Sequence, residues 1–90
     1  MLLTEINVDD RNKLMELKIE RLLHFFAMTL PRCQIQINSE NTLMITCPTS
    51  MIVDDLLDDL EDLCNHASLI IGVKKIALYF GQEEILLTDV

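Results

Sequence analysis

The chain has 90 residues, of which half are apolar and only two are glycine and two proline. It is therefore long enough for one hydrophobic core, and too apolar to be disordered. Fifteen acidic residues against seven basic ones give a formal net charge of -8. This balance argues against direct binding of nucleic acid, because proteins hold phosphate groups mainly with Lys and Arg.

No segment has the features of a membrane span or a secretory signal. The apolar runs fall well short of the roughly 18 residues that cross a bilayer, and the N-terminal sequence MLLTEINVDD lacks a basic region. The three cysteines, Cys33, Cys47 and Cys64, form neither a CxxC motif nor the even set of a disulfide framework. We expect residues 1–90 to form a single cytoplasmic domain with buried, reduced thiols and no membrane contact.

A long first helix is predicted for residues 8–30. Asn7 is a favourable N-cap, and Pro31 cannot continue a helix. Apolar residues recur at helical spacing along one side, namely Met15, Ile19, Leu22, Leu23, Phe26 and Leu30. A second apolar set lies beside or behind this stripe and consists of Leu14, Leu17, Phe25 and Met28. The C-terminal half of the helix therefore either sits deep in the fold or meets a partner.

Residues 33–47 alternate apolar and polar side chains on both sides of a polar break, which predicts a β-hairpin. A loop formed by residues 39–41 brings the strong β-formers onto one face and places Asn41 at the left-handed position that such loops require. The resulting register pairs Ile37 with Leu43, Ile35 with Ile45, and Cys33 with Cys47. The other face would carry Gln34, Gln36, Met44 and Thr46.

A second helix is predicted for residues 50–71. Pro48 ends the preceding strand, Thr49 is the expected N-cap, and Gly72 occupies the usual position after a helix C-terminus. The stripe expected to be buried consists of Val53, Leu56, Leu57, Leu60, Leu63, Cys64, Ala67 and Ile71. This helix should therefore pack along its whole length.

The predicted order of elements indicates the fold class. A third strand covers residues 73–80, and the short apolar run at residues 85–87 is either a fourth, edge strand or an adhesive tail. The order α-β-β-α-β, with this C-terminal strand left open, predicts an α+β two-layer sandwich. The strands before and after the second helix should be parallel if they are neighbours, because a helix connects them.

The segment of residues 42–80 resembles a known family. Its run TLMITCPTSMIVDDLL, followed later by GVKKIALYF, is similar to the second half of the N-terminal domain of the bacterial replication initiator DnaA. The residues that carry the resemblance are Pro48, Thr49, Met51, Ile52, Asp54 and Leu56. It implies a KH-like fold and a role as a docking surface. Asp55 stands where the family carries an aromatic residue, and Gly72 and Gly81 are too far apart for the GxxG loop of nucleic-acid-binding KH domains.

The second helix carries an acidic face, which we define as Asp54, Asp55, Asp58, Asp59, Glu61 and Asp62. These residues make six like-charge pairs at spacings of three or four, which oppose the helix by about 1–3 kcal/mol. Burial of the apolar stripe contributes a gross ~10 kcal/mol or more, so the helix forms despite its charge. The acidic face can be a solvated surface, a docking surface for a basic partner, or a divalent-cation site. Acids on one helix diverge, and no calcium-loop motif is present, which disfavours the last of these.

Four of the seven basic residues lie on the first helix, namely Arg11, Lys13, Lys18 and Arg21. Their sign is opposite to that of the acidic face. They predict either pairing of the two helices, between two copies or within one chain, or simply a solvated helix surface.

The sequence offers little material for catalysis. Cys64 and His66 are two positions apart on a helix and face different ways, and no P-loop, dinucleotide glycine pattern or Ser/His/Asp order occurs. We expect no enzymatic activity, no cofactor and no bound metal. The alternative from the enzyme class is a thiol-dependent reaction at Cys64 or Cys33.

We interpret the chain as a small acidic protein–protein interaction module, an adaptor or regulator, whose partner has a basic surface and which could form a homodimer. The predicted partner-binding residues are the acidic face together with Phe25, Met28 and Met44, with residues 85–87 as further apolar surface. The alternative is an acidic decoy or chaperone-like protein that covers a basic, nucleic-acid-binding surface of its partner.

Overall fold

The structure is a computed structural model that describes residues 8–90, with side chains from residue 13 onward. This part of the chain contains three α-helices, one 3-10 helix and a four-stranded mixed sheet, which confirms the predicted α+β class. The N-cap prediction for Asn7 lies outside the described residues. No helix in the described range is long and apolar enough to cross a membrane.

The first helix, α1, spans Val8–Phe25 and is shorter than expected. The chain then turns, and the backbone N–H of Leu30 donates to the carbonyl oxygen of Phe26 at 3.0 Å. A 3-10 helix, Leu30–Arg32, follows. The predicted extension of α1 to residue 30 was wrong. A proline ring clashes with the carbonyl group four residues earlier and disfavours helical backbone at the residue before it, so the α-helix ends well ahead of Pro31.

The hairpin has the predicted register. Strand β1 spans Gln34–Ile37 and strand β2 spans Thr42–Cys47. The two strands are antiparallel, with Ile35 opposite Ile45 and Ile37 opposite Leu43. Asn41 has a φ of 63°, which confirms the left-handed residue that the loop length requires.

The predicted second helix is divided into α2, Ser50–Asp58, and α3, Leu60–Ile70. Asp59 interrupts it with φ -101° and ψ 17°, so the prediction of one continuous helix was wrong. Asp is a weak helix former, and acidic residues crowd both sides of this position. The predicted cap is confirmed, because the Thr49 hydroxyl oxygen accepts a hydrogen bond from the backbone N–H of Ile52 at 3.3 Å.

Two further strands complete the sheet. Strand β3, Lys75–Phe80, follows Gly72, whose φ of 83° ends α3 as predicted. Strand β4, Glu83–Asp89, follows a tight turn at Gly81. The strand order is β1-β2-β3-β4. Strands β2 and β3 are parallel, as predicted, and β4 is antiparallel to β3, so residues 85–87 belong to an edge strand.

The core joins the helices to alternate positions of the sheet. Its sheet residues are Leu43, Ile45, Cys47, Ile76 and Leu78. Its helix residues include Leu22, Ile52, Val53, Leu56, Leu63 and Ala67. Leu57, expected on the buried stripe, is instead 38% exposed. Neighbouring helix positions point about 100° apart, and Leu56 takes the direction that faces the core.

Candidate functional site

All six residues of the acidic face are exposed. Helix α2 supplies three of them, Asp59 lies at the junction, and α3 supplies Glu61 and Asp62. Burial of Leu56 and Leu63 on the other side of these helices holds the carboxylates toward water. The helical pair therefore presents these carboxylates on one exposed side.

The acidic face has no basic partner within the described side chains. Among these, the one ion pair joins Lys75 and Asp89 at 4.0 Å, far along the chain in the sheet. No three His, Cys, Asp or Glu side chains converge in the described part of the protein. The carboxylates of the acidic face are thus free to contact a docking partner. Their geometry gives no support to the cation-site alternative.

Exposed apolar side chains lie around the contact between α1 and α3. The Phe25 ring lies 4.6 Å from the His66 ring, measured between centroids, and Phe26 meets the same imidazole edge-on at 5.6 Å. Phe25, Met28 and Leu69 are 57%, 80% and 86% exposed. We define Phe25, Met28 and Leu69 as the apolar patch.

His66 is held in place by its own helix. Its Nδ1 atom lies 2.8 Å from the backbone carbonyl oxygen of Asp62. A carbonyl oxygen only accepts, so this hydrogen bond requires the proton on Nδ1. The imidazole is therefore oriented as a platform for the Phe25 ring.

Of the predicted apolar contact residues, Phe25 contacts His66, one helical turn from Asp62 of the acidic face, Met28 is exposed just beyond α1, and Met44 lies in the sheet. Met44 is half-buried in β2. It alternates with Leu43 and Ile45, which face the core, so its side chain points to the opposite side of the sheet.

Sequence reasoning missed Leu69, although a signal was present. Position 69 is two residues from both Ala67 and Ile71, which are buried. On a helix, a residue two positions from a stripe points away from it. Helical spacing alone would therefore have predicted an exposed leucine at the end of α3.

A cavity of about 350 Å³ lies at the ends of the parallel strands β2 and β3. Its walls are formed by Arg32, Gln34, Thr46, Cys47, Pro48, Phe80 and Gly81. Ligands of α/β sheets bind outside the carboxyl ends of parallel strands, and the volume falls near the lower end for small-molecule sites. No buried side-chain polar atom among the described residues lacks a partner.

The cysteines are poorly suited to nucleophilic chemistry. Burial, and to a smaller extent the neighbouring Cys47, raise the pKa of Cys33 to about 12. Burial also raises the pKa values of Cys47 and Cys64. The thiolate is the reactive form, and these environments disfavour it at neutral pH. These pKa values give no support to the thiol-enzyme alternative.

The chain was compared with protein-family models, with curated proteins and with solved structures, and none of the three comparisons gave a match.

Proposed function

We propose that the protein is a cytoplasmic protein–protein interaction module, an adaptor or regulator, that docks onto a basic surface of a partner protein. The observation that carries this proposal is the acidic face, whose six carboxylates are exposed and have no basic partner among the described side chains. A surface that is only solvated would not require all six carboxylates on the same side of α2 and α3.

The two parts of the surface have separate physical roles. Charge of one sign on a rigid helical pair steers a basic partner, accelerates association and repels acidic competitors. The apolar patch supplies affinity, because burial of Phe25 and Leu69 removes large apolar side chains from water. Met44 lies on the other side of the sheet and is left out of this docking surface.

We also propose a two-layer, KH-like arrangement, as the resemblance to the initiator domain implies for residues 42–80. This proposal is supported by the core residues of β2 and β3, which come from alternate positions and therefore share one face of the sheet, the face on which the helices pack. The parallel pairing of β2 and β3 and the caps at Thr49 and Gly72 agree with the implied order. By analogy with that family, the helical side is a docking surface.

The test is affinity capture from the native cell extract with three forms of the protein at low and high salt. The triple variant Asp58→Asn, Asp59→Asn and Asp62→Asn removes half of the acidic face. The matched control, Glu83→Gln with Glu84→Gln, removes exposed carboxylates from β4. A true partner is retained by the wild type and the control, and is lost both from the triple variant and at high salt. Equal retention by all three forms would refute the proposal.

The alternative function, an acidic decoy for a nucleic-acid-binding partner, is favoured by the same run of carboxylates. It is distinguished by competition. A decoy occupies the partner's basic groove, so nucleic acid added to the purified complex releases the wild-type protein. An adaptor docked elsewhere on the partner stays bound when nucleic acid is added.

A further inference from the structure

The side of α1 that faces away from the core carries an apolar stripe interrupted by a base. Leu14, Leu17 and Phe25 are each more than half exposed, and Met28 follows them just beyond the helix. Arg21 is exposed and lies four residues from both Leu17 and Phe25. Residues at these spacings share one helix face. We define this outer stripe of α1 as Leu14, Leu17, Arg21 and Phe25, with the order apolar, basic, apolar.

The outer side of α2 and α3 has the opposite pattern. Met51 is 74% exposed at its start and Leu69 is 86% exposed at its end. Asp54, Asp58 and Asp62 lie between them at spacings of four, and all three are exposed. Along this side, the exposed residues are therefore apolar at the start, acidic in the middle and apolar at the end.

The two patterns lie side by side but do not neutralise each other. The contact between Phe25 and His66 joins α1 to α3 along one seam. Within the described side chains, however, the ion pair of Lys75 with Asp89 is the one present. Arg21, with the half-buried Lys18 one helical turn before it, and the acids beyond the seam are thus all left without an ion-pair partner among these side chains.

We infer that a second copy of this chain covers this surface, with α1 of each copy packed on α2 and α3 of the other. A twofold interface uses the same patch on both subunits, so the patch must be complementary to itself. The outer stripe, with Arg21 at its centre, beside the acidic side of α2 and α3 meets this requirement, because a twofold rotation can place each over the other. The axis passes near the Phe25–His66 seam.

Pairing of α1 with α1 is disfavoured by the same pattern. An antiparallel arrangement that aligns Leu17 with Phe25 of the second copy brings the two Arg21 side chains together, because Arg21 is midway between them. Two desolvated guanidinium groups would repel each other. In the dimer, α1 of one copy therefore packs on the acidic side of α2 and α3 of the other copy.

The dimer goes beyond the proposed function and does not depend on it, since it is measured on the purified chain alone. The shared acidic face has one consequence. Self-association and capture of a basic partner compete for the same carboxylates.

The test is analytical ultracentrifugation of the full purified chain over a concentration series at low and high salt. Two charge-reversed forms are compared with the wild type, namely Lys18→Glu with Arg21→Glu, and Asp58→Lys with Asp62→Lys. The wild type should form a dimer that weakens with salt, and each reversed form should raise the dimer dissociation constant roughly tenfold or more. An equimolar mixture of the two reversed forms should recover a dimer, because every helix again faces its opposite charge.

Controls separate this interface from general effects of charge. Reversal of Lys74 in one form, and of Glu83 with Glu84 in another, changes exposed charges elsewhere and should leave the wild-type dissociation constant unchanged. Leu17→Ser with Phe25→Ser should abolish the dimer at every salt concentration. Circular dichroism checks that each form is folded. A wild type that stays monomeric, a dimer unaffected by the two reversed forms, or a mixture that fails to associate would each overturn the inference.

Discussion

The side-chain amide of Asn41 donates a hydrogen bond to the carbonyl oxygen of Gly72 at 3.1 Å. Both residues have positive φ, 63° and 83° respectively. The carbonyl oxygen of Asn41 also accepts from the backbone N–H of Lys74 at 2.9 Å. One residue therefore ties the hairpin loop to the point where α3 ends and the chain enters β3.

Substitution of Asn41 should separate its backbone role from its side-chain role. Asn41→Ala loses the hydrogen bond and puts alanine, which lacks the polar side chain by which Asn tolerates it, in the left-handed region, and we expect it to lower the free energy of unfolding by about 2 kcal/mol. Asn41→Gly loses the same bond without that strain and should cost less. Urea unfolding of both variants provides the measurement. An alanine variant as stable as the wild type would contradict the assigned role.

Leu56 is fully buried, whereas Leu57, its neighbour in sequence, is 38% exposed. Leu56→Ala should lower the free energy of unfolding by about 2–5 kcal/mol, because it leaves a cavity in the core. Leu57→Ala serves as the matched control and should cost roughly 1 kcal/mol or less. Thermal or urea unfolding measures both. Equal effects would mean that α2 is rotated from the orientation described.

Repulsion within the acidic face should destabilise the folded protein, and a neutral substitution should remove part of this repulsion. Asp58 takes part in four of the six like-charge pairs, with positions 54, 55, 61 and 62. Asp58→Asn should therefore raise the free energy of unfolding by about 1–2 kcal/mol at low salt. Salt screens exposed charges, so the gain should shrink at high ionic strength.

The control for Asp58→Asn is Glu40→Gln, which makes the same change in net charge in the hairpin loop, away from any helix. It should leave stability nearly unchanged. If both variants stabilise the protein equally, the effect comes from net charge and not from crowding along α2 and α3. A gain in stability accompanied by loss of partner capture would fit a surface kept for binding.

The Cys33 thiol should make stability fall in alkaline solution. Its pKa is raised by burial to about 12 from an ordinary value of 9.0. Between these two values the unfolded chain releases the proton while the folded chain keeps it, so stability decreases as pH rises. The contribution is complete below about pH 9 and is lost as pH approaches about 12.

Unfolding free energies across this alkaline range, for the wild type and Cys33→Ala, provide the measurement. The variant lacks the titrating thiol, so its stability should decline less steeply, and the difference between the two proteins should narrow with rising pH. Tyr and Lys titrate equally in both and cancel in the comparison. Parallel curves would show that the Cys33 thiol is not shielded in the folded state.

Much of the fold was predictable from short stretches of sequence. Alternation in residues 33–47 and the geometry of a short loop were enough for the hairpin register, because a shift by one residue would turn every apolar side chain away from the core. The caps at Thr49 and Gly72 and the parallel strands around the helical crossover were equally local in origin. The acidic face needed only helical spacing.

Other features depended on contacts between distant residues. The exposed position of Phe25 against His66 joins two helices separated by about forty residues, and no pattern within either helix encodes their seam. The break at Asp59 is confined to one residue, because carboxylates crowd this weak helix former while burial of apolar residues on both sides of it holds α2 and α3 in helical form.

The sequence alone determined the order of the helices and strands, the apolar face of most of them, and where the charge lies, since these follow from spacing and local hydrogen bonding, but it did not determine the end of α1 or the break at Asp59. Only the tertiary structure decided that the apolar stripe of α1 stays uncovered beside an acidic face, and that Met44 lies on another surface. The physical reason is that burial depends on which elements pack together, and the free energy of that packing belongs to the whole chain.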